Sequence, residues 1–113
     1  MKEGDVVLTP VSQADGKMKK QPAIILREMP PYRDLLVCGV STQLHQRVEG
    51  FDELILSTDD DFAGSGLVTD SLIRLGFLTV LPRSKVAGSI GSISPERHKR
   101  LLRALSDYLT EKR

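Results

Sequence analysis

Apolar positions along this chain fall into short runs separated by turn chemistry, and only the C-terminal segment changes period. Val6-Val7-Leu8 follow Gly4-Asp5 and stop at Pro10, which predicts a strand over 5–10. Residues 11–20 hold Ser, Gln, Asp, Gly and three lysines, and read as a long polar loop. Pro22-Ala23-Ile24-Ile25-Leu26 predicts a second strand over 22–28, because proline is tolerated at a strand's first position. Met29-Pro30-Pro31-Tyr32 is a turn, since two prolines cannot continue a central strand. The uninterrupted run Leu35 to Val40 predicts a strand over 34–41 that is buried on both faces. A polar stretch then ends at Gly50, and 51–56 alternates as a fourth strand. Ser57 to Gly66 is acidic and turn-rich; 67–69 and 71–75 are β-prone around Asp70, and 77–81 is a further apolar run ending at Pro82.

The last segment is helical. Ser94-Pro95-Glu96 offers an N-cap, a proline in the first turn and an acid beside the positive end of the helix dipole. Leu101, Leu102, Leu105, Tyr108 and Leu109 then recur at helical spacing as one apolar stripe. Arg97, Arg100, Arg103 and Asp107 fall largely away from that stripe. The helix should end near Leu109, with Lys112 and Arg113 suiting its negative end. Many short strands followed by one helix predict a mainly β fold: a small, strongly bent antiparallel sheet or barrel with the C-terminal helix packed on it.

Composition narrows the function classes. A chain of 113 residues with 40% hydrophobic content forms one domain, here 1–113, with a single real core. Net charge is +1, so any phosphate-binding surface must come from local clustering and not from a global field. The single cysteine, Cys38, lies inside an apolar run, reads as a small core residue, and suits a reducing cytoplasm. No apolar segment approaches membrane length and no N-terminal apolar leader precedes the first strand, so a cytoplasmic location without a membrane partner is expected.

Ser41-Thr42 is the sharpest chemical candidate. It sits where a buried strand meets a polar turn, so a hydroxyl there is both held and exposed. The plainer alternative is that both hydroxyls satisfy turn backbone groups. The Lys17–Lys20 cluster can track phosphates or can be a solvated charge run. His45, four residues past Ser41, carries the usual acid–base group of neutral-pH chemistry, against the reading of a solvated loop histidine. His98, on the helix, reads as structural. The run Asp59–Asp61 lacks the glycine and distant glutamate of a calcium loop and reads as an exposed turn. No Cys/His cluster suggests zinc and no Gly-rich loop suggests a nucleotide, so neither metal nor cofactor is expected. Tyr32, Phe51, Phe62, Phe77 and Tyr108 are too few for the stacking platforms of common single-strand binders. Any grip on RNA should come from cations, backbone amides and hydroxyls.

Taken in order, Gly4-Asp5, then Gln21-Pro22-Ala23 before an aliphatic strand, then a strand ending in Ser41-Thr42, resemble the MazF/PemK family. These are the small toxins of bacterial toxin–antitoxin pairs, and the resemblance spans nearly the whole chain. It implies an SH3-like (PemK/MazF-type) barrel, usually dimeric. It also implies a metal-independent endoribonuclease that cleaves single-stranded mRNA at short sequences, the RNA's own 2′-OH attacking the adjacent phosphate. The implied partners are single-stranded RNA, a cognate antitoxin protein with a disordered tail, and operator DNA reached through that antitoxin.

By that resemblance Ser41, with Thr42 second, contacts the scissile phosphate and stabilises its developing charge. Arg27 or Lys20 supplies positive charge, and Asp70 orients a base or a cation. Lys19, Lys20, Gln21, Arg74 and His45 are placed along the RNA. Asp70 reads equally as a turn or bulge residue. Gln21 departs from the pattern, because the family carries an arginine before its Pro-Ala. Glutamine donates hydrogen bonds but cannot neutralise a phosphorane. Strand alternation would bring Arg27 to the face of Gln21 if no bulge lies between them. The rival reading is therefore a non-catalytic barrel that binds an antitoxin-like partner or DNA, its activity lost through Gln21.

Overall fold

Alternating side chains can feed two cores when both faces of a sheet are covered, and this sheet does so. In the computed structural model, which describes residues 1–12 and 14–111, the strands are β1 (Asp5–Ser12), β2 (Met18–Met29), β3 (Asp34–Ser41), β4 (Glu53–Ile55), β5 (Ser71–Leu81) and β6 (Gly88–Ser92). A one-turn helix α1 (Phe62–Ser65) precedes β5, and α2 (Pro95–Thr110) follows β6. The six strands form one curled antiparallel sheet, a half-barrel, in the order β4-β5-β3-β2-β1-β6. Val6, Ile24, Leu26, Cys38, Val40, Ile73 and Leu75 point to one face and meet Leu101 and Leu105 of α2. Their neighbours Val7, Ala23, Ile25, Leu35 and Val37 point to the other, covered by Val86. Each of the valine, leucine and isoleucine side chains among them contributes about 1.5–3 kcal/mol when fully buried. The doubly buried β3 expected from its unbroken apolar run is therefore present. Cys38 is buried among these residues, and burial pushes its thiol up to about 12, so it stays protonated and is no nucleophile.

Helix α2 forms as its sequence requires. Ser94 Oγ accepts the Arg97 N–H at 3.1 Å, Pro95 occupies the first turn, and Leu101 and Leu105 are buried. The stripe is only partly buried, however: Leu109 is 69% exposed, and Tyr108 is 48% exposed with its ring 5.0 Å from that of Phe51. His98 is structural, its Nε2 lying 2.8 Å from the Leu26 carbonyl oxygen. Lys112 and Arg113 lie outside the described residues.

Several expectations need correction. The loop expected over 11–20 is mostly strand: Ser12 pairs with Met18, Val11 with Lys19 and Pro10 with Lys20. Gln13 lies outside the described residues. An exposed hairpin arm needs no apolar alternation, because the ladder of β1 supplies its hydrogen bonds. Residues 67–69 are not strand, and the runs 71–75 and 77–81 are one strand broken by a bulge, not two elements. β6, rich in Gly and Ser, carries no strand signal and forms by pairing with the free edge of β1.

The largest correction concerns Arg97 and the aspartate run. Arg97 is only 6% exposed, although a charged side chain is expected to fall away from the apolar stripe; its spacing of four from Leu101 places it on the buried face. Its guanidinium donates to both carboxylate oxygens of Asp61 at 2.8 and 3.1 Å, to Asp59 at 3.1 Å, to Glu53 at 3.0 Å and to the Leu54 carbonyl at 2.8 Å. Asp61 also accepts the Ser94 N–H at 3.0 Å, so the acidic loop, β4 and the start of α2 converge on one cation. Burial raises the affinity of Asp61 for a proton, but the hydrogen bonds from Arg97 and Ser94 and the Arg97 charge outweigh it. They hold the carboxyl at about 2. Asp59 and Asp61 are thus the anchor of the helix and not a free turn.

Candidate functional site

Hairpin arms of polar sequence set beside a bulged strand leave a hollow that no core residue fills. It lies on the face turned away from α2, encloses about 660 Å³, and is floored by Ala23, Val37 and Gly39. Thr9, Gln21, Ser41 and Thr79 stand along it, with Lys19, Lys20, Thr42, Gln43, Arg74 and Phe77 also lining it. Among the described residues three cations and no carboxylate line this hollow, in a chain whose net charge is +1. Six other arginines are spent on carboxylates among the described residues, including Arg27 on Glu3 at 3.2 Å, Arg33 on Glu28 at 2.9 Å and Arg100 on Glu53 at 3.1 Å. Lys19, Lys20 and Arg74 make no ion pair among the described residues. A polyanion therefore meets available positive charge here.

The site residues expected from sequence divide into two groups. Ser41, Thr42, Lys19, Lys20, Gln21 and Arg74 are brought together in this hollow. Arg27, Asp70 and His45 are not among its lining residues. The β2–β3 register shifts between Ile25 and Arg27, so the alternation that would align Arg27 with Gln21 is interrupted. Arg27 instead opposes Leu36, which packs with the helix-side core. Asp70 accepts the Ser57 N–H at 2.7 Å, a role that staples one loop to another. His45 sits exposed in a 3-10 turn over Leu44–Gln46.

Ser41 Oγ accepts the Gln43 N–H at 3.0 Å, which is the turn role weighed from sequence. That bond uses one lone pair and leaves the O–H proton free to donate. Thr9 Oγ1 donates to the Gln21 carbonyl at 3.2 Å and fixes the backbone at the start of the Pro-Ala strand. Arg74 is held twice: its Nη1 donates to Gln46 Oε1 at 3.1 Å, and its Cζ lies 4.3 Å from the centroid of the Phe77 ring. Opposite Cys38 and Gly39, β5 skips from Leu78 to Arg74. The bulge turns Phe77 over Gly39, where an added Cβ would come within 3.3 Å of Phe77 Cβ. Thr9, Gly39, Gln43, Phe77 and Thr79 were missed by sequence reasoning. A glycine inside an apolar strand was the one signal, since it marks close approach.

A second hollow of about 890 Å³ lies on the helix side, among Phe51, Leu75, Leu78, Leu105, Tyr108 and Leu109. Glu49, Asp107 and Glu111 are its only charged lining residues among the described residues. The larger hollow is thus acidic and apolar, and the smaller one holds the chemistry of anion binding.

The chain matches, over residues 2–109, the family model of the PemK-like, MazF-like toxin of type II toxin–antitoxin systems. Its fold is similar to that of the Mycobacterium tuberculosis toxin MazF-mt6, with a TM-score of 0.68 and 17% identity, covering 96% of this chain and 99% of that one. No curated protein matches the chain. Among the described residues, no helix is long and apolar enough to cross a membrane.

Proposed function

The chain belongs to the PemK-like, MazF-like toxins of type II toxin–antitoxin systems, and from that premise we propose that it is a metal-independent endoribonuclease cleaving single-stranded mRNA in the cytoplasm. The observation that carries this reading is the cleft itself, in which Lys19, Lys20 and Arg74 stand beside Ser41 and Thr42 with no carboxylate to repel phosphate. In the proposed step the ribose 2′-OH attacks the adjacent phosphorus. The 2′-O–P bond forms, the P–O5′ bond breaks, and a cyclic phosphate and a free 5′-OH result. Arg74, pre-positioned by Gln46 and Phe77, meets the charge that builds on the non-bridging oxygens. Ser41 O–H and the amide of Gln21 donate to the same oxygens. Among the described residues no carboxylate or imidazole lines the cleft, so in this reading water accepts the 2′-OH proton and returns one to the leaving oxygen. The expected acceleration is electrostatic, without the factor of about 10²–10⁴ that a positioned base adds.

The test is cleavage of a mixed-sequence single-stranded RNA in EDTA by the purified chain, together with growth on induced expression. Cyclic-phosphate ends and growth arrest are the expected results. Intact RNA with unchecked growth would favour the rival reading, a barrel disarmed by Gln21, for which the exposed, uncharged Gln21 is the supporting observation.

The proposed partners are a second copy of this chain and a cognate antitoxin tail that competes with RNA. β4 pairs only with Ser71, Leu72 and Ile73, so the outer edge of β5 beyond them is unpaired in this sheet. Leu78 and Val80 stand exposed beside that edge, and Leu78 continues into the helix-side hollow with Tyr108 and Leu109. A twofold-related β5 would cover both the edge and these side chains. Sedimentation at micromolar concentration should show twice 12.5 kDa, and Val80→Asp should restore the single-chain mass. A wild-type chain sedimenting only as a monomer excludes this pairing.

A further inference from the structure

Phe77 occupies a place in the cleft that the charge argument does not use. Its ring is 60% exposed although it sits in the middle of a strand. Gly39 beneath it has no side chain, which is what lets the Phe77 side chain lie so close to the floor. The Arg74 guanidinium covers part of the ring at 4.3 Å, and the rest borders the hollow. A large apolar ring beside unpaired cations suits a ligand that carries a flat apolar face and a negative charge on one unit. An unpaired nucleotide has that combination, with its base for the ring and its phosphate for Arg74, Lys19 and Lys20.

We propose that Phe77 is a stacking platform for one unpaired base, which sets the register of the strand against Ser41. The inference deepens the ribonuclease reading and rests on it: the aromatic is a positioning residue for the strand, acting by stacking and not by chemistry. Stacking is indifferent to base identity, so Phe77 fixes where a base sits and leaves sequence choice to the polar side chains around it. Phe77 alternates along β5 with Leu78 and Val80; Val80 lines neither hollow, and Leu78 borders both. A dimer formed through the Val80 side of the strand leaves the ring available.

The chain contains no tryptophan, so Phe77→Trp introduces a sole indole at the point in question, excited selectively over Tyr32 and Tyr108. The probe is a 2′-O-methyl oligonucleotide, which lacks the attacking hydroxyl, compared with an abasic strand of the same length and phosphate number. The expected results are about 5- to 150-fold weaker binding of the base-bearing strand by Phe77→Ala, with little change for the abasic strand. Phe77→Trp should retain tight binding and be quenched only by the base-bearing strand. Unchanged affinity in Phe77→Ala, or equal quenching by the abasic strand, overturns the proposal while leaving the cationic cleft standing. Loss of self-association in Phe77→Ala with unchanged strand binding also overturns it, and assigns the ring to a protein contact. If wild type binds neither strand, this inference and the ribonuclease reading fall together. Binding and quenching without cleavage of natural RNA would leave the stacking intact and remove only the catalysis.

Discussion

Arg97→Met should destabilise the fold by about 3–5 kcal/mol, the cost expected when one partner of a buried ionic cluster is removed and the other charges stay. The substitution keeps much of the side chain's length and packing, so the loss reports charge and hydrogen bonds more than volume. Asp61, with its side chain only 11% exposed, is left without the guanidinium that neutralises it, while Glu53 keeps only the exposed Arg100 at 3.1 Å. Five hydrogen bonds from that one group disappear. The same cluster gives acid stability a definite sign. Asp61 in the folded chain is held at about 2, below its ordinary 3.8. Its contribution is therefore fully present above the unfolded value and is lost as the pH falls from there through about 2. Urea midpoints measured at pH 7 and then in steps down to pH 2 check both statements. Wild type should weaken steeply over the acid range, and Arg97→Met should start lower and fall less. An Arg97→Met chain with the wild-type midpoint at pH 7 would show that the cluster contributes nothing net.

The second large effect concerns rate. Ser41→Ala should lower RNA cleavage by about a hundredfold or more, by analogy with donors aimed at a developing oxyanion. Its melting temperature should barely move, because the lost Gln43 N–H bond is a turn hydrogen bond worth about 0.5–1.5 kcal/mol. Gln21→Arg should raise the rate, since it puts a charge at a cleft position that has only an amide. With no base lining the cleft, the rate should climb steadily with pH across the neutral range, as hydroxide takes over removal of the 2′-OH proton. A bell-shaped profile would instead reveal an acid–base pair within reach of the cleft. Equal rates for wild type and Ser41→Ala would remove Ser41 from the mechanism, and cleavage by Gln21→Arg alone would mark the natural chain as a disarmed toxin fold.

How legible these features were depended on how local their causes are. β3 and α2 announce themselves because an apolar run and a capped helical stripe carry their own signals. β6 and the lysine-bearing arm of β2 do not, because their residues are strand only by pairing with β1. Arg97 reads as solvent-facing by its charge, although its spacing of four from Leu101 puts it on the buried face, and nothing in the helix displays the carboxylates beside it. Asp61 reaches it from 36 residues away in sequence. The site shows the same division. Ser41, Thr42, Lys19, Lys20, Gln21 and Arg74 are marked by residue type at strand ends and turns. Phe77 and Thr79 enter only through the β3–β5 bulge, and Arg27 is turned aside by the β2–β3 register shift. A displaced register is a property of two strands at once, so neither strand's sequence displays it.

The Arg97 cluster also bears on how the gene can fail. Every residue lining the cationic cleft lies between Thr9 and Thr79, so the whole site is encoded before the helix begins. A frameshift or stop codon anywhere between them spares all of those residues and deletes Arg97, leaving Glu53, Asp59 and Asp61 to repel one another and Ile24, Leu26 and Cys38 without their cover. Such a chain keeps its chemistry in its primary structure but has no shape in which to present it. For a cell carrying a self-poisoning gene, lesions in the last part of the reading frame are therefore as effective an escape as lesions at the site.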